Sequence, residues 1–232
     1  MARFLLIHGA SHGAWCWDKL VPQLAARGHV ATAIDLPGHG DDRTPRDTVR
    51  MDDYVSRVLD HLAPDTILVG HSFGGFPITL AAARAPEKVN ALVYVCALIP
   101  RPGEAFTAFR AEAISQELSE AQTLDRHAGV THAIPEKAGP VFYSDCSAED
   151  RDWALARLTP QPIAVMTEPT EFTPPHTPRH YVRCTTDRVI YPEFQRTSSQ
   201  GWRHVYDMET GHSPFLSDPG GLAGILDRVA SV

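Results

Sequence analysis

The chain is organised around one stretch, Val69-Gly70-His71-Ser72-Phe73-Gly74-Gly75-Phe76. A short apolar run, Thr66 to Val69, precedes it, and a helix-forming run, Pro77 to Arg84, follows it. Strand, sharp turn and helix are the context that a G-x-S-x-G nucleophile elbow needs, and its two outer glycines let the strand and the helix approach closely. We therefore expect the Ser72 hydroxyl to lie exposed at the carboxyl edge of a sheet as a candidate nucleophile. The alternative is a glycine-rich turn with a surface serine.

Continuous apolar runs alternate with helical patterns along the chain, which predicts a parallel sheet. Continuous runs are typical of strands that are covered by helices on both faces. Helical periodicity is present from Trp17 to Arg27, from Asp52 to Leu62 and from Leu222 to Val229. The predicted strands are Phe4–Ile7, Val30–Ile34, Thr66–Val69, Ala91–Val95, His180–Cys184 and Val205–Met208. The predicted fold class is α/β, with a mostly parallel, doubly wound sheet.

The regular alternation stops in residues 99–178, where no convincing strand is present. Helical patches and a Pro-rich run, Glu168 to Pro178, occupy this segment. A long segment beside the catalytic edge of a regular fold is more often a helical cap than a structureless loop. We therefore expect residues 1–98 and 179–232 to form the core and the segment between them to form a helical cap. The helical patches are Ala105–Leu118 and Ala148–Leu158.

A serine hydroxyl needs a base to take its proton, and the base needs a third group that fixes its tautomer. In folds with this elbow the acid follows the serine in the chain and the histidine comes last. Asp187 lies just past the strand predicted at His180–Cys184, and His212 lies just past the one at Val205–Met208. Both side chains should emerge at the sheet edge that carries Ser72, so they are the candidate acid and the candidate base.

The local pattern leaves other interpretations of these residues open. Asp187 could be a turn residue or an ion-pair partner of Arg188. Asp207 and Glu209 are rival acids, although they lie too close to His212 in the chain to be on a neighbouring strand. His212 could also be an ordinary residue at a helix N-terminus.

Two main-chain N–H groups should bind the oxyanion that forms when a nucleophile attacks a carbonyl. One belongs to Phe73, the residue after the candidate nucleophile. Ala10, in the loop after the first strand, is the best candidate for the other. We expect His71 to be structural, whereas His12 either lines the pocket or ties its loop together.

Composition restricts the partners of the chain. The net charge is -7 and no basic stripe is present, so nucleic acid is not expected as a partner. No apolar run is long enough for a membrane span, and the run from Arg3 to Ile7 is too short for a signal peptide. The four cysteines include no C-x-x-C pair, which indicates reduced thiols in a cytoplasmic protein. The twelve histidines form no ligand set at helical spacing, so we expect no metal and no other cofactor.

Several stretches resemble the α/β-hydrolase family of plant methylesterases and hydroxynitrile lyases, in the branch that includes the salicylate-binding esterase. The resemblance covers the core almost end to end and is weakest in residues 99–178. The stretches are His8–Trp17, Asp35–Gly40, Val69–Gly75, the C-terminal run from Tyr181 through Arg196, and Gly211–Pro214.

The resemblance implies a small, largely apolar acyl pocket under a helical cap, and often a homodimer. Two positions depart from the lyase pattern, because those lyases carry Thr at the position of Gly9 and Lys at that of Ser213. The lyase Lys holds the developing cyanide charge, which a neutral Ser cannot do. The aromatic residues of the predicted cap are candidates for the pocket wall, but they could also be buried within the cap itself. The candidate substrate-binding residues are Gly9, His12, Phe106, Phe109, Phe142, Trp153 and Ser213.

These observations favour a cofactor-free serine esterase that acts on a small-molecule ester. The second hypothesis is a thioesterase, a lactonase, a carbon–carbon hydrolase or a lyase that uses the same residues. The third is a small-molecule receptor that retains them. Enzymes of this fold with an Asp nucleophile are excluded, because position 72 is Ser.

Overall fold

Six parallel strands form the central sheet in the computed structural model, which describes residues 1–232. The structure has nine strands, of which β5, β6 and β7 lie outside the central sheet. They are β1 (Arg3–Ile7), β2 (Val30–Ile34), β3 (Thr66–His71), β4 (Val89–Val95), β5 (Gln122–Asp125), β6 (Val130–Ala133), β7 (Gln161–Pro162), β8 (Arg179–Cys184) and β9 (His204–Met208). The central sheet has the order β2-β1-β3-β4-β8-β9, and every neighbouring pair in it is parallel. This confirms the predicted α/β class with a parallel sheet.

Helices cover both faces of the central sheet. The helices are α1 (Leu20–Ala25), α2 (Met51–Asp60), α3 (Gly75–Arg84), α4 (Arg110–Ala113), α5 (Gln116–Glu120), α6 (Pro135–Phe142), α7 (Ala148–Leu155), α8 (Ala164–Thr167), α9 (Pro192–Ser198), α10 (Pro214–Ser217) and α11 (Pro219–Val229). The chain runs from β1 to β2 in one direction along the sheet, and through β3 to β4 in the other. Because such crossovers are right-handed, α1 lies on one face, while α2 and α3 lie on the other. In agreement, α1 packs against α11 and α2 packs against α3.

The core surrounds β3, which is buried at every residue from Thr66 to His71. A strand buried on both faces needs the continuous apolar run seen in the sequence. Helix α3, which follows β3 directly, is itself buried over most of its length. Each large apolar side chain removed from water in this layer contributes about 1.5–3 kcal/mol. The Ser72 turn between β3 and α3 is therefore held by rigid elements on both sides.

Residues 99–178 connect β4 to β8 and contain strands as well as helices. The expectation of no strand in this segment was wrong, because β5, β6 and β7 form a three-stranded antiparallel sheet. These strands are two to four residues long, and β5 is mostly exposed, so they carry no continuous apolar run. The predicted patch Ala105–Leu118 is also divided, into a 3₁₀ turn at Phe106–Phe109 followed by α4 and α5. The division into core and cap at residues 98 and 178 stays a prediction.

The helices and the cysteines bear on the predicted absence of a membrane span and the predicted reduced thiols. None of the helices combines the length and the apolar character that crossing a bilayer requires. All four cysteines are free thiols, and three of them are buried.

Candidate active site

Ser72 lies at a sharp turn between β3 and α3, as the sequence predicts. The expectation of an exposed hydroxyl was wrong, because Ser72 is buried beside a cavity whose wall includes residues of the 99–178 segment. Its φ of 53° is in the left-handed region, which non-glycine residues rarely adopt and which is common at functional turns. A Cβ on Gly70 would lie 2.6 Å from the carbonyl oxygen of Gly74, and a Cβ on Gly74 would lie 2.7 Å from the carbonyl oxygen of His8. Only glycine fits at both positions, so the close approach of strand, helix and the loop after β1 fixes the turn.

Asp187 and His212 lie side by side behind this turn. His212 Nδ1 is 2.9 Å from Asp187 Oδ2, and both side chains are buried. They follow β8 and β9, which are adjacent parallel strands, so their carboxyl ends meet at one edge of the sheet. The hydrogen bond places the proton of the neutral imidazole on Nδ1 and leaves Nε2 free to accept one.

The Asp187 carboxylate is held by three further donors. The N–H groups of Val189 and Ile190 donate to Oδ1 at 2.7 and 3.1 Å, and Gln195 Nε2 donates to Oδ2 at 2.8 Å. Bonds to an ionised acceptor of this kind are short and strong, so the carboxylate is fixed in orientation. The alternative pairing of Asp187 with the neighbouring Arg188 is wrong, because Arg188 pairs with Glu117.

The rival acids, Asp207 and Glu209, are both exposed. Asp207 forms an ion pair with Arg183 at 2.6 Å on the surface of the sheet. The carboxylate that contacts His212 is therefore that of Asp187.

Ser72 and His212 line the same cavity, together with Ala10 and Phe73. The cavity volume is about 50 Å³, which is room for roughly three or four water molecules. Most of the remaining wall is apolar. The other lining residues are His12, His71, Phe106, Arg110, Ile114, Leu118, Gln122, Thr131, Phe142, Met166 and Val189.

The two candidate oxyanion donors therefore lie at the cavity that carries Ser72. Neither the Ala10 N–H nor the Phe73 N–H is used in a hydrogen bond to a loop or side-chain acceptor. Gly9 lets the loop after β1 approach this turn closely, because a Cβ on it would lie 2.9 Å from both Ser72 Cβ and His71 Nδ1.

His12 connects the loop after β1 to residues 99–178, the segment inserted between β4 and β8 (the inserted segment). Its Nδ1 donates to the Ala10 carbonyl at 2.8 Å, so its Nε2 accepts from the Tyr143 hydroxyl at 2.9 Å. Burial lowers the pKa of His12 from 6.5 to about 3, so the ring is neutral. The same ring lines the cavity, so both uses that the sequence left open for His12 are present.

His71 is structural, as expected. Its Nε2 donates to the main-chain carbonyl of His212 at 2.8 Å, and the Cys96 thiol approaches the same oxygen at 3.5 Å. Burial, with nearby His212 and His12, holds the pKa of His71 well below its usual range. Atoms of His71, Cys96 and His212 that could bind a metal ion lie within 4.8 Å of one another. Most of these atoms already make hydrogen bonds, since His71 Nε2 and the Cys96 thiol contact the His212 carbonyl and His212 Nδ1 contacts Asp187.

Four of the predicted pocket residues, Gly9, Phe109, Trp153 and Ser213, do not line the cavity, which corrects the sequence analysis. Phe109 is buried against Phe76, with ring centroids 5.8 Å apart. Trp153 is half-buried and packs against Trp15, which follows β1, with ring centroids 5.3 Å apart. The Ser213 hydroxyl is fully buried and donates to a main-chain carbonyl, that of Phe142, at 2.8 Å. Phe106 and Phe142 do line the cavity.

Several contacts of the site have no signal in the local sequence. Asp145 Oδ2 accepts from the N–H of Gly211, the residue before His212, at 2.7 Å. The Tyr143 hydroxyl donates to His12, and the Gln195 amide donates to Asp187, as described above. Only Gln195 lay in a stretch that resembles the hydrolase family, and nothing in that stretch indicated its partner.

Comparison with known proteins identifies the family. A model described as the alpha/beta hydrolase family matches residues 4–225. Salicylic acid-binding protein 2 of Nicotiana tabacum is 33% identical, with 98% of this chain and 96% of that protein covered. Methylesterase 17 of Arabidopsis thaliana is 30% identical, with 98% and 91% covered. The crystal structure of a pyrethroid hydrolase from Sphingobium faniae JZ-2 is similar at a TM-score of 0.89, with 27% identity and 100% and 98% covered. The chain therefore belongs to the alpha/beta hydrolase family, in the branch of the plant methylesterases.

Proposed function

We propose that this chain hydrolyses carboxylic esters of small molecules through an acyl-enzyme on Ser72, without a cofactor. The class of enzyme, a carboxylic ester hydrolase, follows from its family and its relatives. The observation that carries the mechanism is the hydrogen bond between His212 Nδ1 and Asp187 Oδ2. The His212 imidazole shares its cavity with Ser72, which is held at a positive φ.

In the first half of the reaction, Ser72 Oγ attacks the ester carbonyl carbon while its proton passes to His212 Nε2. Asp187 stabilises the imidazolium that results. The carbonyl electron pair moves onto oxygen, where the N–H groups of Ala10 and Phe73 bind the oxyanion. When the electron pair returns, the bond to the alcohol oxygen breaks, and that oxygen takes the proton from His212 Nε2.

In the second half, water replaces the alcohol. His212 Nε2 accepts a proton as the water oxygen attacks the acyl carbon, and the oxyanion forms in the same place. Collapse breaks the bond to Ser72 Oγ, which takes the proton back. The acid is released and the free serine is restored, so no oxidant, reductant or metal is required.

The cavity supports a small ester. Its wall includes Phe106, Phe142 and Ile114, and its volume of about 50 Å³ fits a short acyl or alcohol group better than a large one. A lyase is less well supported, because Ser213 is neutral and its hydroxyl is engaged with the Phe142 carbonyl.

Steady-state hydrolysis of short-chain and aryl methyl or p-nitrophenyl esters tests the proposal. We expect turnover in the wild type and its loss in Ser72→Ala, with the fold intact by circular dichroism. Ser231→Ala is the matched control, because Ser231 is exposed in the last residues of the chain. Turnover that survives in Ser72→Ala would refute the mechanism. A panel of thioesters, lactones and cyanohydrins run in parallel separates the alternative reactions on the same residues.

Residues 99–178 act as the cap of this site in our proposal. The homodimer, the cytoplasmic location and the absence of a nucleic-acid partner stay predictions from the sequence. Sedimentation analysis of the purified chain tests the first of these.

A further inference from the structure

The cavity wall has three polar side chains outside the proposed catalytic machinery and its supporting histidines. They are those of Arg110, Gln122 and Thr131, which all belong to the inserted segment. Arg110 is an exposed residue, whereas Ser72 is only 9% exposed. Because Arg110 both lines the cavity and meets solvent, it lies at the opening, with Ser72 at the inner end.

The Arg110 guanidinium is free of partners within the chain. No carboxylate forms an ion pair with it, and it donates no side-chain hydrogen bond. The acids nearest to it in the sequence are Glu104 and Glu112, and both pair with Arg101. Arg101 also covers the neighbouring Phe109 ring, at 4.6 Å from its centroid. Arg101 thus uses the nearby carboxylates and the Phe109 ring, and Arg110 is left without a charged partner at the wall of the cavity.

Gln122 and Thr131 project from the same face of the small antiparallel sheet. Leu124 is directly opposite Thr131 in the register of β5 and β6, and Gln122 lies two residues before Leu124. Positions two apart on a strand share a face, so both side chains reach the cavity. Neither the Gln122 amide nor the Thr131 hydroxyl makes a side-chain hydrogen bond within the chain, although both are only partly exposed.

These three groups form a set of hydrogen-bond donors with one free positive charge. A guanidinium presents a planar set of N–H donors that binds a carboxylate with two parallel hydrogen bonds. A Gln amide and a Thr hydroxyl each add donors. The cavity lining includes no Asp or Glu that would compete for them.

We propose that Arg110, with Gln122 and Thr131, binds a carboxylate of the substrate at the opening of the cavity. The preferred substrates are then esters that carry a second, free carboxylate away from the scissile bond, such as half-esters of linear dicarboxylic acids, with the ester group in the small cavity and the carboxylate at its exposed opening. This assignment rests on the proposed ester hydrolysis, since it names the class of ester.

Matched substrates test the assignment. Monomethyl esters of linear dicarboxylic acids, from succinate to suberate, are compared with methyl esters of monocarboxylic acids of equal chain length. We expect kcat/KM of the wild type to be tenfold or more higher for at least one charged ester than for its neutral counterpart. The preference should fall as salt is raised, because Arg110 is solvent-exposed. A wild type that prefers the neutral ester at every chain length would overturn the proposal.

Variants of Arg110 connect that preference to one side chain. In Arg110→Gln we expect the ratio of kcat/KM for charged over neutral ester to fall tenfold or more. Arg110→Lys should keep part of the ratio, because it keeps the charge and loses the planar donor pair. Arg126→Gln is the control, since Arg126 is an exposed arginine of the same segment that does not line the cavity. An unchanged ratio in Arg110→Gln contradicts the proposal.

A binding measurement separates this proposal from ester hydrolysis itself. The Ser72→Ala variant is titrated calorimetrically with linear dicarboxylates from succinate to suberate, with and without Arg110→Gln. Binding that weakens tenfold or more in the double variant supports the carboxylate site, even if the wild type proves inactive on esters. Equal affinity in the two variants, or no binding in either, refutes the carboxylate site, even if the wild type is an active esterase.

Discussion

His71 Nε2 donates a hydrogen bond of 2.8 Å to the main-chain carbonyl of His212, and the two rings lie 4.6 Å apart. The bond joins the residue before the proposed nucleophile to the proposed base. Because the ring of His71 is buried and its pKa is held well below the usual range by that burial, the donor is a neutral imidazole. The turn after β3 and the loop after β9 are thus fixed to each other independently of the side chains of Ser72, His212 and Asp187.

Loss of this bond should impair catalysis more than substrate binding. In His71→Ala we expect kcat to fall about tenfold or more, because the His212 loop loses its fixed distance to Ser72. The free energy of unfolding should fall by about 1–3 kcal/mol, because a buried acceptor loses its donor. His61→Ala is the control, since the exposed His61 ring bonds only to the Arg57 carbonyl of its own helix. Unchanged kcat in a folded His71→Ala variant would contradict this role.

Asp187→Asn tests whether the charge of Asp187, and not only its shape, supports His212. The substitution keeps the volume but allows the amide to present a donor to His212 Nδ1, which selects the wrong tautomer. We expect kcat to fall by about 10⁴-fold, as for the same change in serine-protease triads. Asp60→Asn, at an exposed position of α2, controls for the loss of a charge. A loss of less than about tenfold, measured with saturating ester, would mean that Asp187 is not the orienting acid.

A methyl group at position 9 should displace Ser72 while leaving all the proposed catalytic groups present. In Gly9→Ala the new Cβ would lie 2.9 Å from Ser72 Cβ, so the serine or the loop must move. A displacement of about 1 Å at a reacting group can reduce the rate about 10²-fold, and we expect a loss of that order in kcat. Gly224→Ala is the matched control, because nothing lies within 4 Å of that position in α11. The control should be fully active and stabilised by about 0.5–1 kcal/mol. Full activity in Gly9→Ala would show that the site tolerates the movement.

Buried histidines should make the chain sensitive to acid. Burial lowers the pKa of His8 from 6.5 to about 4 and that of His12 from 6.5 to about 3. Between those values and 6.5 the unfolded chain binds protons at these positions and the folded chain does not. The free energy of unfolding therefore falls as the pH is lowered through this window, by up to about 1.4 kcal/mol per pH unit for each histidine.

Urea unfolding at several pH values from 7.5 to 4.5 checks this dependence. We expect little change above about pH 6.5 from these two groups and a steady loss below it. A free energy of unfolding that stays constant down to pH 4.5 would show that His8 and His12 take up protons in the folded state as readily as in the unfolded one.

The local sequence was sufficient for the parts of the site that a single turn or a strand end defines. Ser72 is marked by glycines whose missing side chains the elbow needs. Asp187 and His212 follow predicted strands, and the parallel sheet brings those strand ends together. The glycine spacing therefore predicts the position of Ser72, and the rule that parallel strands end at one edge of the sheet predicts those of Asp187 and His212.

The parts that depend on packing between distant segments could not be predicted. Phe109 and Trp153 resemble pocket residues in composition, but which face of a short helix turns toward the cavity is decided by its neighbours. Gln195 and Tyr143 act through side chains that the fold brings to Asp187 and His12. The strands of the small sheet were missed because they are short and partly exposed, so their pairing is not visible in hydrophobicity.

Covalent labelling of the folded chain with a fluorophosphonate, followed by mass spectrometry of its peptides, tests the central claim most directly. The reagent reacts with a serine only when a neighbouring base and an oxyanion site activate it. We expect one label per chain, on the peptide that contains Ser72, and its loss in Ser72→Ala but not in Ser231→Ala. Absence of label, or a label on another residue, would contradict the assignment of Ser72 as the activated nucleophile.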